Sequence, residues 1–224
     1  MLALWSTLVP LIIGSAVVPV QLVATIVLLR SSLRTAAAWV AGMAVVRLVQ
    51  GFVFGVLFSE ASAGSTASGG PGIVASGLLL AISLLFYVTA IRQLLGGDDG
   101  EDAPPKWMSR VGAMSPLTAF GAGAGYVAIA PKFWVFTLGA IGAIADAKLG
   151  STAATLTFLA FVVLALSGNL VILGYVLASP TRSTAALNGL VDWLTRNNRV
   201  IMIALGLLFG TWFLAKALSG LGFL

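Results

Sequence analysis

The sequence predicts an all-α integral membrane protein with six transmembrane helices, arranged as two inverted repeats of three helices each. Three observations lead to this fold class. The 224 residues are 59% hydrophobic and only 8% charged, with a mean hydropathy of +1.07, whereas soluble domains carry about 25% charged residues. Six apolar runs follow one another along the chain, and the first and fourth of these runs share an unusual pattern of prolines.

Each apolar run is long enough to be a transmembrane helix, because about 20 helical residues cross a hydrocarbon core of about 30 Å. The predicted spans are 3–29, 34–58, 71–95, 115–145, 150–178 and 198–219. Short polar breaks separate them, including one after the fifth span, and none is large enough to be a soluble domain. We predict one membrane domain over residues 1–224, with repeat one at 1–95, an acidic cytoplasmic loop at 96–114 and repeat two at 115–224.

The repeat is predicted from the first and fourth spans, where "PL" near the start is followed by small residues, an internal proline and a basic turn. The matching pairs are Pro10 and Pro116, Pro19 and Pro131, and Arg34 and Lys148. Chance is the alternative, since proline is common in membrane helices, but the shared flanking pattern favours a repeat. Because three is odd, the second copy would be inverted, as in many secondary transporters.

Lysine and arginine mark the loops that stay in the cytoplasm. Eight of the twelve basic residues fall on the side of the first, third and fifth connections, and only Lys148 and Lys216 fall on the other. We therefore predict that both termini lie outside the cytoplasm. The eight are Arg30, Arg34, Arg92, Lys106, Arg110, Arg182, Arg196 and Arg199.

Few polar residues lie within the predicted spans, and the candidate site is built from them. Pro19 and Pro131 should break helices 1 and 4 near the midplane, since proline lacks the backbone donor that an intact helix needs. Arg47 and Lys132 are the two charges well inside spans, and half-helix N-termini add positive dipole ends. We predict a site for an anion. Its substrate-binding residues are predicted to be Pro19, Gln21, Arg47, Pro131 and Lys132, with Ser15 and Thr25 as further neutral hydrogen-bonding groups.

Structural roles are the alternative for these polar groups. Arg47 could extend toward the membrane surface or satisfy carbonyls that a proline exposes. Ser167 and Asn169 more often join helices than line a pathway. Three glycine pairs match the small-residue spacing of close helix packing: Gly51 and Gly55, Gly121 and Gly125, and Gly206 and Gly210.

The chain contains neither cysteine nor histidine, which excludes disulfides, thiolate or imidazole metal sites and histidine bases. No paired carboxylates are predicted at membrane depth, so we expect no metal, no cofactor and no enzymatic activity. The basic residues are scattered singly, which does not favour nucleic acid as a partner.

Two stretches, "LVPLIIGSAVVPVQLVATIVLLRSSLRTAAAWVAGM" and "APKFWVFTLGAIGAIADA", resemble the GAP or Sap family (glycolipid- or sulfolipid-addressing proteins) of the lysine-exporter (LysE-like) superfamily. The resemblance covers almost the whole chain. Where that family commonly has Ser-Pro and Asn-Pro-Lys, this chain has Val18-Pro19 and Ala130-Pro131-Lys132.

The resemblance implies a transporter or accessory factor that moves envelope glycolipids across the bacterial inner membrane, with membrane lipids as its surroundings. The cationic pair Arg47 and Lys132 favours an anionic lipid or glycolipid as the substrate of a transporter. One alternative is an exporter of an amino acid or other small organic anion. Another is a non-transporting accessory factor of a lipid-export complex. A second copy of the chain or the lipid-export machinery would then be the protein partner.

Overall fold

The computed structural model describes residues 2–63, 73–95 and 110–223, and over these ranges the chain is helical without strands. The all-α prediction is therefore confirmed for the described residues, whereas most of the predicted acidic loop lies outside them. The helices are α1 (Leu2–Ala16), α2 (Pro19–Ser31), α3 (Leu33–Ala63), α4 (Ile73–Leu95), α5 (Pro116–Ile129), α6 (Pro131–Asp146), α7 (Ser151–Ala165), α8 (Ser167–Ala178) and α9 (Pro180–Gly220).

Several of these helices could cross a membrane. By length and apolar composition, segments of α3 (Leu33–Val56) and α9 (Ala185–Ser219) could each do so alone. Three bent helix pairs could each form one more span, which gives up to five among the described residues. The described helices therefore have the length and composition of a membrane protein, while the six spans and their inverted repeat stay predictions.

Both predicted helix breaks are present. The α1–α2 pair bends by 49° just before Pro19, and the α5–α6 pair bends by 72° at Pro131. Each proline is the first residue of the following helix, where its missing N–H and its fixed φ are tolerated. Proline chemistry therefore accounts for the position of both breaks.

A third bend, of 61°, divides the predicted fifth span, 150–178, between α7 and α8, where the sequence predicted no break. No proline is present there; the chain turns at Leu166, whose φ is −98° and ψ is 2°. The turn brings Gly168 against the end of α1, so that a Cβ on Gly168 would lie 2.6 Å from the Ala16 carbonyl oxygen. Tertiary contact, which local sequence does not reveal, accounts for this bend.

The helix α9 also begins earlier than predicted. Residues 180–197, which we expected to form a break between spans, continue as helix into the apolar run. The buried residues Leu187, Val191 and Leu194 recur at helical spacing, so that this segment has an apolar face despite its polar average. The mean hydropathy of this segment did not predict the helix, because an average removes the periodic pattern of apolar residues.

The chain divides into two compact units. Unit 1 comprises Met1–Gly64 and Ala103–Asp192, and unit 2 comprises Ser65–Asp102 and Trp193–Leu224. In unit 2, Ser83 Oγ donates to the Gly210 carbonyl at 2.9 Å, and Phe86 packs on the rings of Phe209 and Phe213. Unit 1 contains all five candidate site residues.

In unit 1, α3 crosses α5 at very short range. A Cβ added to Gly42 would clash with the Phe120 carbonyl oxygen, and one added to Gly123 would clash with the Trp39 carbonyl oxygen. Two glycines, one on each helix, therefore let the backbones meet. On α5 the sequence predicted close packing at Gly121 and Gly125, yet a Cβ on either would have nothing within 4 Å. The same prediction is confirmed at Gly51 and Gly206, where a Cβ would collide with Phe158 and Ala90 of neighbouring helices.

Candidate functional site

The first helix break is stabilised by Gln21. In a continuous helix the Ser15 carbonyl would accept from the N–H four residues later, but that residue is Pro19, which has none. Gln21 Nε2 donates to the Ser15 carbonyl at 2.6 Å and lies 3.4 Å from the Ala16 carbonyl. Gln21 is fully buried and its Oε1 has no hydrogen-bond partner. Its amide nitrogen therefore replaces the donor that the proline removes.

The second break has a similar arrangement, which the sequence did not predict. Trp134 Nε1 donates to the Ala128 carbonyl at 2.7 Å, across Pro131. In both breaks a side-chain N–H from just after the proline reaches back six residues to a carbonyl just before it. At each break, a backbone carbonyl oxygen near the end of the first half-helix thus accepts a hydrogen bond from a side chain of the same chain.

Arg47 on α3 is completely buried. Its Nη2 donates to Ser15 Oγ at 2.5 Å, and its Cζ lies 5.1 Å from the centroid of the Phe133 ring. Its Nε and Nη1 have no hydrogen-bond partner. Arg47 therefore links the first break to α6 by a hydrogen bond and a cation–π contact, and it retains N–H groups for another acceptor.

Lys132, the first residue after Pro131, lies beside the same aromatic ring. Its Nζ is 5.3 Å from the centroid of Phe133 and 5.8 Å from that of Tyr126. Tyr126 packs edge-on against Phe133 and stacks on Trp39, with centroid distances of 5.1 Å and 5.6 Å. Phe133 therefore makes cation–π contacts with both the guanidinium of Arg47 and the ammonium of Lys132.

The structure thus brings the five predicted residues together. Gln21 and Arg47 both bond to Ser15, which precedes Pro19, and Lys132 reaches Arg47 through Phe133. Phe133 was not predicted as a member of this cluster, because aromatic residues are common in apolar spans. That these residues bind substrate is still a prediction.

Further buried polar groups extend this cluster. Thr25 Oγ1 lies 2.8 Å from the Gln21 carbonyl oxygen and 2.8 Å from Asn169 Oδ1. The hydrogen bond to Asn169 joins α2 to α8. Buried polar atoms without a partner include Asn169 Nδ2, both amide atoms of Gln50, and Thr137 Oγ1. Gln50 lies one turn after Arg47, and Thr137 lies one turn after Phe133. Gln50 and Thr137 were not among the predicted site residues; their burial distinguishes them from the other polar residues of the spans.

The charge of this cluster is positive. Asp146 and Asp192, the carboxylates whose side chains are described, are both exposed, and the described residues hold no group of three or more that could ligate a metal ion. A buried charge in a membrane costs about 2.5–3.5 kcal/mol on insertion scales, and an opposite charge reduces that cost. The arrangement therefore suits an anionic group with further hydrogen-bond acceptors.

Replacing Gln21 with leucine should destabilise the protein by about 1 kcal/mol, because the Ser15 carbonyl loses its donor inside the membrane. The measurement is thermal unfolding of the detergent-purified chain. Pro19→Ala in the same chain should restore stability, since alanine supplies the missing backbone N–H. If the double variant is no more stable than Gln21→Leu alone, the assigned role of Gln21 is wrong.

Comparison with protein families places the chain near one family. The family model described as Sap, sulfolipid-1-addressing protein, matches residues 8–219. No curated protein and no solved structure gives a significant match.

Proposed function

Because the chain belongs to the family of Sap, sulfolipid-1-addressing proteins, we propose that it is a transporter of the lysine-exporter type that moves an anionic lipid or glycolipid across the bacterial inner membrane. The observation that carries this proposal is the pair of cations on Phe133. Arg47 bonds to Ser15 at the first helix break and Lys132 follows the proline of the second, and two nitrogens of Arg47 have no hydrogen-bond partner.

An anionic head group would supply hydrogen-bond partners for the polar atoms of the site that have none. Sulfate, phosphate or carboxylate oxygens would accept from Arg47 Nε and Nη1 and from the Lys132 ammonium, as charge-assisted hydrogen bonds. The free atoms of Gln21 and Asn169 would bond to hydroxyl groups of the same head group. Binding would then neutralise charge that the membrane interior disfavours.

The helix packing supports an inverted repeat with the site between its halves. From the first half, α3 packs on α5 and α6; from the second half, α7 and α8 pack on α1 and α2. Each half therefore places its second span against the broken helix of the other. Sites at such an interface serve alternating access, in which one repeat rocks against the other. We propose that both termini lie outside the cytoplasm, from the distribution of basic residues.

The test is a flux assay in liposomes that contain the purified chain. We expect fluorescent phosphatidylglycerol to cross between leaflets faster than in protein-free vesicles, and faster than the zwitterionic phosphatidylcholine analogue, because the site is cationic. The measurement is the fraction of fluorophore that an impermeant quencher reaches with time.

Other results of this assay would contradict the proposal. Saturable flux of a radiolabelled amino acid or other organic anion, with no movement of lipid, would indicate a small-solute exporter. Absence of any flux, together with co-purification of lipid-export proteins from the native membrane, would indicate an accessory factor.

A further inference from the structure

A groove of about 410 Å³ lies in unit 1 between α3, α7 and α8. Its lining is apolar and includes Ala37, Ala41, Ala44 and Leu48 from α3 with Val163 and Leu170 from the other two helices. Val163 and Leu170 are 56% and 40% exposed, so the groove is open to the surroundings. Its walls can accept a hydrocarbon group and offer no side-chain partner to a polar one.

The groove exists because α3 carries small residues on this side. Ala37, Ala41 and Ala44 follow one another at helical spacing. Elsewhere on α3, exposed positions carry bulky residues such as Val49 and Phe52, which are 55% and 76% exposed.

The groove and the cationic site lie along the same two helices, although neither Arg47 nor Asn169 lines the groove. On α3, Val40 lies two helical turns before Arg47 on the same face and is itself a lining residue. On α8, the lining residue Leu173 lies one turn after Asn169, whose Nδ2 is buried without a partner. A molecule that extends from the groove along these helices would therefore approach buried, unpartnered polar atoms, two of them on Arg47.

We propose that this groove holds one acyl chain of the lipid whose anionic head group binds at Arg47, an inference that rests on the proposed transport function. The surrounding membrane is as apolar as the groove, so hydrophobic burial alone does not select the chain. The lipid is selected by its head group. The groove keeps one acyl chain in apolar surroundings while the head group passes between the repeats.

The experiment maps where a lipid chain contacts the full-length protein. The probe is phosphatidylglycerol with a photoreactive diazirine on one acyl chain, in phosphatidylcholine vesicles that contain the purified protein. We expect crosslinks, located by mass spectrometry, to be concentrated at Ala41, Ala44 and Leu170 relative to Val49 and Phe52. Ala41→Phe should abolish this preference. Ala204→Phe, at an exposed alanine of α9, is the matched control and should keep it.

Two results would overturn the inference. Even labelling of groove and non-groove residues would mean that ordinary surrounding lipid touches both. The native chain has no cysteine, so a disulfide between two Ala41→Cys chains would show that a second copy fills the groove.

Leaflet exchange of the same probe is measured in the same vesicles. Groove labelling without exchange would contradict transport and support chain binding, whereas exchange with even labelling would do the reverse.

Discussion

Replacing Arg47 with glutamine should reduce the leaflet exchange of phosphatidylglycerol by about thirtyfold at equal protein level. Arg47 is fully buried and has two nitrogens without a partner. A hydrogen bond to a charged group contributes about 2 kcal/mol, which corresponds to that factor. Lys132→Gln should act in the same direction, because its ammonium lies at the same ring. The measurement is the quenching assay in liposomes.

Controls separate a binding role from a structural one. Arg34→Gln removes an exposed arginine from the same helix, and it should leave exchange unchanged. Ser15→Ala removes the hydrogen bond to Arg47 Nη2 but keeps the charge, so its effect should be smaller than that of Arg47→Gln. If Arg47→Gln lowers thermal stability while exchange per folded molecule stays normal, Arg47 only supports the helix break.

Local chemistry explains what the sequence could predict. The breaks at Pro19 and Pro131 follow from the missing N–H of proline, which acts wherever proline occurs within a helix. The importance of Gln21 and Arg47 follows from the rarity of polar groups in apolar spans. The structure places these residues in one cluster, as expected from similar depths in the predicted spans.

Other features depend on how helices are rotated against one another. The bend at Leu166 has no proline, and the packing of Gly168 on the Ala16 carbonyl is visible only in three dimensions. Phe133 belongs to the candidate cluster because its position on α6 brings its ring to both cations. A single sequence contains no information about such rotation, since many faces of an apolar helix look alike.

The alternating glycines of α5 provide a direct test of this point. Gly121, Gly123 and Gly125 lie in one stretch, "GAGAG", and have the same composition around them. Only at Gly123 would a Cβ collide with another helix, at the Trp39 carbonyl. Backbone cannot yield as a flexible side chain can, so α3 and α5 would have to separate.

Gly123→Ala should therefore destabilise the protein by about 1–3 kcal/mol, the usual cost of forcing extra volume into a packed interior. Gly121→Ala and Gly125→Ala should be neutral or slightly stabilising, because alanine is the better helix former and nothing lies within 4 Å of either new methyl group. The measurement is thermal unfolding of the three purified variants in one detergent. Equal effects at all three positions would mean that α5 does not cross α3 at Gly123. Gly42→Ala should match Gly123→Ala, because its methyl group would meet the Phe120 carbonyl from the other side of the same crossing.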